Sequence, residues 1–387
     1  MADMGASRHG RTLKLLAIET TLRCDQACVF CGSRAGDLPP GELSFAELVD
    51  VIDQARRMGA TCVEFTGGEP VMRKDWAELV QEASSRGMET TLITAGGPIS
   101  ADVARRAVAA GVSRFGVSLD GPPEIHDRYR RVPGSYERAL RAMSTLHEAG
   151  ISIACNTHIN AQNWRALPQL ADVLVGLGLC DWQLQLLIPM GRAAQAQTLW
   201  LQPFDLLDVI PMIVSLVERC ASRGLEVTVA DNVGYFGPHE HALRRKISKY
   251  GHTIGCGAGV SMISVDTAGN VTGCSALDAG EVCAGNVRSQ TLQVLWDNAP
   301  ELRIGLSRSH VRGYCAECYY ANVCRGGCSG AAIGLTGKRG DNPYCHHRAL
   351  EFARRGLRER LVPRGIEMGG RRGHGLFDIH IEPIPSS

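Results

Sequence analysis

Apolar positions follow two alternating periods between Leu13 and Pro189. Six short runs rich in β-branched residues read as strands: Leu13 to Glu19, Cys62 to Thr66, Thr90 to Thr94, Arg114 to Leu119, Ser152 to Thr157 and Trp182 to Ile188. Between them, stretches such as Phe45 to Met58 and Tyr136 to Ala149 repeat apolar residues every three or four positions, the mark of an amphipathic helix. Ser44 is placed to cap the first of these and Gly59 to stop it. Strands separated by helices pair in parallel, so the expected fold is α/β, a partial (β/α)6 TIM-like barrel over residues 1–200. Chemistry in such barrels sits at the C-terminal ends of the strands. Residues 201–249 read as a mostly helical linker, with Phe204 to Ser222 strongly apolar on one face. A cysteine-rich region spans 250–350, and 351–387 form a C-terminal helix and tail. In that last part, Ala349 to Leu361 has a helical pattern and Leu376 to Ile384 alternates like a strand that adds an edge or meets a partner.

Composition narrows the classes. With 387 residues, 44% of them apolar, the chain can bury a large core. Lys and Arg number 41 against 40 Asp and Glu, so no net field draws the chain to nucleic acid or an anionic membrane. The N-terminus lacks an apolar signal core, and the sequence shows no run approaching the roughly 20 apolar residues of a membrane span. A cytoplasmic location is expected, where clustered cysteines serve metals or redox chemistry more often than disulfides.

Ten of the fifteen cysteines form two patterns. Cys24-x3-Cys28-x2-Cys31 directly follows the first strand and so lands on the barrel mouth. Three thiolates on a tight loop can hold three irons of a [4Fe-4S] cube and leave the fourth open. The second pattern runs from Cys256 through Gly269 and Cys274 to Cys315-x2-Cys318-x5-Cys324-x3-Cys328 and Cys345. Zinc would explain Cys315 and Cys318 but not the others. Cys62, Cys155, Cys180 and Cys220 read as small core residues.

The second strand ends in Thr66-Gly67-Gly68-Glu69-Pro70. Glycines admit close backbone approach to a ligand, and a carboxylate can accept hydrogen bonds from an ammonium group. Alone this is an ordinary turn. One βα unit after the cysteine loop, the combination resembles the radical S-adenosylmethionine (SAM) superfamily over residues 13–190, and the C-terminal cysteines resemble its SPASM extension over about 250–350.

The resemblance implies that Cys24, Cys28 and Cys31 bind a SAM-chelating [4Fe-4S] cluster, with Phe30 beside the adenine and Gly67, Gly68 and Glu69 at the methionine amino group. It puts Ser118 and Asp120 near the methionyl carboxylate and ribose, with Arg130 as bidentate carboxylate partner; Asp120 could equally form a turn before Gly121. Asn156 and Gln185 are candidates to line the barrel, or are buried structural amides. Arg192 either binds a substrate carboxylate or only caps a helix or faces solvent. Two auxiliary clusters make three iron-sulfur clusters in all. Cys315, Cys318, Cys324 and Cys345 are assigned to the outer auxiliary cluster, and Cys256, Cys274 and Cys328 to the inner one. The inner site is one ligand short; either Cys283, brought in on a loop flanked by Gly280 and Gly285, fills it, or an iron stays open.

The implied activity is that of an oxidoreductase that cleaves SAM reductively to a 5′-deoxyadenosyl radical and abstracts a substrate hydrogen, a step that needs no acid or base. The extra clusters suit net two-electron oxidation. Maturation of a ribosomally made precursor peptide, by oxidising or crosslinking its residues, is the leading expectation; a dehydrogenase of a sugar or cofactor precursor is the alternative. Sulfatase maturation is disfavoured, because Ser275 stands where that family has an aspartate, and Asp278 lies three residues on. Expected partners are a flavodoxin or ferredoxin-type electron donor and, for a peptide, a separate leader-binding protein or contacts from the barrel and the segment after Cys345. Tyr235, Phe236, His239 and His241 form a lid or a plain connector, and Gly369 to Gly375 a basic linker.

Overall fold

The computed structural model describes residues 11–36, 41–246, 248–277, 282–306, 308–365 and 371–385. Asp278, Gly280, Gly369 and Gly370 lie outside the described residues. The expected strands are present as β1 (Leu15–Thr21), β2 (Cys62–Gly67), β3 (Glu89–Thr94), β4 (Arg114–Ser118), β5 (Ser152–Ile159) and β6 (Asp181–Leu186). Each pairs in parallel with the next. A seventh parallel strand, β7 (Glu226–Val229), lies in the region read as helical linker. With only four residues it is too short to show a period of two against the helix before it.

The cysteine-rich region continues the same sheet. Its strand β8 (Met262–Val265) pairs in parallel with β1, and β9 (Asn270–Thr272) and β10 (Gly285–Asn286) follow antiparallel. The ten-stranded order is β10-β9-β8-β1-β2-β3-β4-β5-β6-β7. Three of the four regions read from the sequence therefore share one sheet.

Alternation along the strands sorts their side chains. Trp182, Leu184 and Leu186 of β6 and Cys155 and Thr157 of β5 are buried against the helices, and Asn156, His158, Gln183 and Gln185 take the opposite face. The helix Phe45–Arg57 begins at a capping box of Ser44 and Glu47 and buries Leu48, Val51, Ile52 and Ala55. Burying Leu48, Val51 and Ile52 contributes about 1.5–3 kcal/mol each. The second expected helix is Ser135–Glu148.

The helix Leu206–Ala221 buries Val209, Ile210, Ile213, Val214, Leu216 and Val217. The continuous segment Gln197–Ala221 that contains it is, by length and composition, apolar enough to cross a membrane, contrary to the sequence expectation; 56% of its most apolar window is buried in the protein, as in a core helix.

The C-terminal helix is shorter than expected. It spans His346–Arg354, and Gly356 in the left-handed region (φ 69°) turns the chain into β11 (Leu357–Pro363). That strand pairs antiparallel with β12 (Phe377–Pro383) in a separate two-stranded sheet, so the expected C-terminal strand forms a hairpin and adds no edge to the main sheet.

Candidate active site

The loop after β1 is held by the turn after β2. Gly68 and Glu69 donate their N–H groups to the carbonyls of Thr21 (2.8 Å) and Arg23 (2.7 Å). A Cβ on Gly67 would stand 2.2 Å from the Thr21 oxygen, and one on Gly68 2.3 Å from that of Arg23. Both glycines are thus required by the cysteine loop's own backbone.

Glu69 is fully buried. Its Oε2 accepts from Thr94 Oγ1 and the Ala95 N–H, both at 2.9 Å, while Oε1 has no partner among the described residues. Burial pushes its carboxyl up to about 7, against the bonds from Ala95 and Thr94. A dry carboxylate with one open oxygen beside the cysteine loop fits a ligand's amino group.

Cys28 lies within electrostatic reach of both other loop thiols. Burial pushes Cys24 up to about 12, with Cys28 among its charged neighbours. Burial also raises Cys28, where Arg130 opposes the shift and Cys31 adds to it. Arg192 locks this loop from the end of β6. Its Nε donates to the Cys28 carbonyl (2.8 Å), its Nη1 to that of Ala35 (3.0 Å) and its backbone N–H to that of Cys31 (3.0 Å). The guanidinium expected to bind substrate, cap a helix or face solvent thus holds the cysteine loop through Nε and Nη1, and its Nη2 has no partner among the described residues.

Arg130 is likewise committed. Its Nε (3.0 Å) and Nη2 both donate to Asp120 Oδ2, and Nη1 stands 3.8 Å from Cys28 Sγ. Both bonds fall on one oxygen of an internal carboxylate. Burial alone would raise the Asp120 carboxyl, but Arg130 and His126 hold it below the usual range. Asp120 Oδ1 also accepts the His158 N–H (3.2 Å), so the residue anchors β4 to β5.

Phe30 is buried, its ring 5.8 Å from Tyr129, 5.4 Å from His158 and 5.2 Å from the Arg130 guanidinium. Ser118 is half-buried at the end of β4, in register with Asn156, whose amide packs against Gly116. Gln185 Nε2 lies 3.1 Å from His158 Nε2. The sequence reading missed His158 and Thr94. His158 shares a strand face with Asn156 two positions away, a signal that was available.

The C-terminal thiols separate into two sets. Burial pushes the Cys328 thiol up, and its next strongest influences are Cys256 and Cys274; Cys274 in turn is raised to about 11, by burial and then by Cys256. Burial and then Cys315 raise Cys324 to about 12, and burial and then Cys324 raise Cys345. Cys318 is a charged neighbour of Cys315 and Cys324. Cys283 Sγ faces the Gly285 carbonyl at 3.3 Å. Among the described residues, no three His, Cys, Asp or Glu side chains close on one point as a single ion such as zinc needs. A cube, whose irons stand apart, spreads its ligands more widely.

The family model for the radical SAM superfamily matches residues 18–173. The AdoMet-dependent heme synthase of Oleidesulfovibrio alaskensis is 31% identical over 369 residues, covering 89% of this chain and 92% of that protein. The chain belongs to the radical SAM superfamily. A second family model, the SPASM iron-sulfur cluster-binding domain, matches residues 256–319. Mycofactocin maturase MftC of Mycobacterium tuberculosis is 31% identical over 365 residues, covering 92% of this chain and 89% of the relative. In fold, this radical SAM enzyme is similar to Streptococcus suis SuiB bound to S-adenosylmethionine (TM-score 0.69, 18% identity, 88% of this chain and 78% of the other). It is similar also to anSMEcpe with bound AdoMet (TM-score 0.69, 17% identity, 89% and 97%). The radical SAM and SPASM matches identify the cofactors as SAM and iron-sulfur clusters. The cysteine loop and the open oxygen of Glu69 suit them.

Proposed function

We propose that this radical SAM enzyme oxidises or crosslinks residues of a ribosomally made precursor peptide. Cys24, Cys28 and Cys31 hold the SAM cluster, Cys256, Cys274 and Cys328 the inner auxiliary cluster, and Cys315, Cys318, Cys324 and Cys345 the outer one. When bound, the reduced cluster and SAM supply a 5′-deoxyadenosyl radical able to abstract a substrate hydrogen. Glu69 orients the amino group of SAM through Oε1, and its open, buried oxygen is the observation that carries the reading. Phe30, flanked by Tyr129 and His158, offers an apolar face for adenine. Ser118, Asn156 and Gln185 line the interior where substrate sits. Arg192 and the Asp120–Arg130 pair keep the loop rigid, so that substrate stays within reach and water stays out.

The peptide assignment is supported by the likeness to mycofactocin maturase over 92% of the chain. A second reading, a small tetrapyrrole acid as substrate, is supported by the heme synthase relatives, of which that of Methanosarcina barkeri is 29% identical over 87% of the chain. In either case the enzyme works in the cytoplasm and takes its electron from a flavodoxin or ferredoxin-type donor. Anaerobic reconstitution, reduction with dithionite and addition of SAM should release 5′-deoxyadenosine. Reduced clusters that release none would overturn the radical reading. A short precursor gene beside this one supports the peptide, and tetrapyrrole genes support the second reading.

A further inference from the structure

A cavity of about 380 Å³ opens to solvent beside the cysteine loop, between the helix Pro123–Arg130 and the segment 191–199 that follows β6. Three guanidinium groups line it, those of Arg128, Arg131 and Arg192, and among the described residues no acidic side chain does. Arg128 and Arg131 are exposed. Arg128 donates to Gln162 Oε1 (3.0 Å) and lies over the Tyr129 ring (5.5 Å). Arg131 has no side-chain hydrogen bond or ion pair among the described residues. Asp127, the acidic neighbour of Arg128, is committed elsewhere: it accepts the N–H groups of Gly134 (2.6 Å) and Tyr136 (2.8 Å) and the Ser135 hydroxyl (2.9 Å). Glu124 on the same helix does not line the cavity. In a chain with 41 basic and 40 acidic residues, this face carries a local excess of positive charge. Arg131 keeps its place at a backbone cost, since it ends the helix in the left-handed region (φ 55°), where glycine or asparagine is the ordinary choice.

The cavity adjoins a thiol assigned to the SAM cluster. Val29 lines it and follows Cys28, which is 8% exposed. The Val29 N–H donates to the Tyr129 carbonyl (2.8 Å), and Arg192 holds the Cys28 carbonyl through Nε (2.8 Å). Arg130, between the cavity residues Tyr129 and Arg131, reaches Cys28 Sγ at 3.8 Å. Reductive cleavage of SAM takes its electron from a carrier outside the chain, and this cavity brings solvent within one residue of Cys28. Val29, Ala196 and Leu199 give it apolar walls between the arginines. The ring edge of a flavin suits those walls, and carboxylates around the flavin suit the arginines. We propose that this cavity is the docking site of a flavodoxin, an acidic flavin protein, whose ring edge enters beside Val29 while its surface carboxylates meet Arg128 and Arg131. One electron leaves the reduced flavin and reduces the cluster, and no bond forms or breaks. This inference rests on the radical SAM reading and names the surface for the donor that reading requires.

Calorimetric titration of the reconstituted, SAM-loaded enzyme with oxidised flavodoxin measures docking without turnover. Binding should weaken as salt rises, and Arg128→Glu with Arg131→Glu should weaken it about tenfold or more. In 5′-deoxyadenosine release driven by flavodoxin, kept reduced by NADPH and its reductase, the double variant should raise the KM for flavodoxin by a similar factor. Its rate with reduced methyl viologen, a small cation, should stay nearly unchanged. Arg192 is left in place, since it holds the cysteine loop. Arg131→Gly, which suits the left-handed backbone, should keep the Tm and the iron content and still weaken docking, so that misfolding does not account for the loss. Flavodoxin that does not bind the parent enzyme, variants that bind it equally well, or a double variant that loses the viologen-driven rate to the same extent overturns the docking site. So does inorganic phosphate that binds the parent enzyme and not the double variant while flavodoxin binding is unaffected, since the cavity would then serve a small anion. A ferredoxin that meets these criteria where flavodoxin does not overturns the choice of partner. Salt-sensitive, arginine-dependent docking on an enzyme that forms no 5′-deoxyadenosine with either reductant would instead remove the radical reading and leave the docking site standing.

Discussion

Burying a carboxylate is costly unless a partner compensates it, and Glu69 is buried with one oxygen satisfied and the other open. Its carboxyl is raised to about 7, against an ordinary value of 4.5. Between those pH values the folded chain holds a proton that the unfolded chain has released. Glu69's contribution to stability therefore falls as pH rises through that window, by about 3 kcal/mol in all. Glu69→Gln should raise the Tm of the SAM-free protein at pH 8 and leave it nearly unchanged at pH 4.5. The same variant should weaken SAM binding by roughly thirtyfold, about 2 kcal/mol for a charged hydrogen bond. Calorimetry in both states measures the exchange; a variant that loses no SAM affinity would remove Glu69 from the site. Cys283 is a second test at this scale, its thiol donating to the Gly285 carbonyl. Cys283→Ala should leave the iron content and the Mössbauer spectrum of the inner cluster unchanged, and a loss of iron would make it the missing ligand.

Elements here are joined by contacts that leave no room for a side chain. Gly68→Ala would force its Cβ against the Arg23 carbonyl and push the cysteine loop off β2. The expected protein keeps its auxiliary iron and loses the electron paramagnetic resonance signal of the SAM cluster. At the other end, Arg348 ties the helix His346–Arg354 to β11. It donates to Glu359 through Nε (2.6 Å) and Nη2 and to Asp341 through Nη1. Arg348→Met strands a buried carboxylate and should cost about 3–5 kcal/mol. Burial raises the Glu359 carboxyl and Arg348 opposes that rise, so without the arginine it climbs further. The loss should be larger at pH 8 than at pH 5.5, which thermal melts at the two values would show. The hairpin of β11 and β12 was half legible in the sequence: β12 alternates openly, while β11 begins inside what reads as a continuing helical pattern. Only Gly356 signals the break, and one glycine is a weak stop.

At the scale of the whole molecule, the auxiliary-cluster region is not an appendage. β8 pairs with β1, and one hydrophobic core runs from Leu16 and Ile18 to Trp296, Leu302 and Tyr344. Shared sheet and shared core predict one cooperative unfolding transition for the reconstituted enzyme in scanning calorimetry; two separated transitions would show that the regions melt independently. The sequence by itself determined the alternating α/β order, the cysteine loop at the barrel mouth, Glu69 beside it and the C-terminal cysteine pattern. Those depend on short-range periodicity and spacing, which survive in one dimension. Tertiary structure alone decided what Arg130 and Arg192 hold, why Gly67 and Gly68 must be glycines, and that Arg371 and Arg372 return to Glu19 across about 350 residues. A guanidinium looks the same in sequence whether it faces solvent, a carbonyl or a buried carboxylate. Its partner is set by where distant segments meet, and the cost of an unpaired buried charge makes that partner matter.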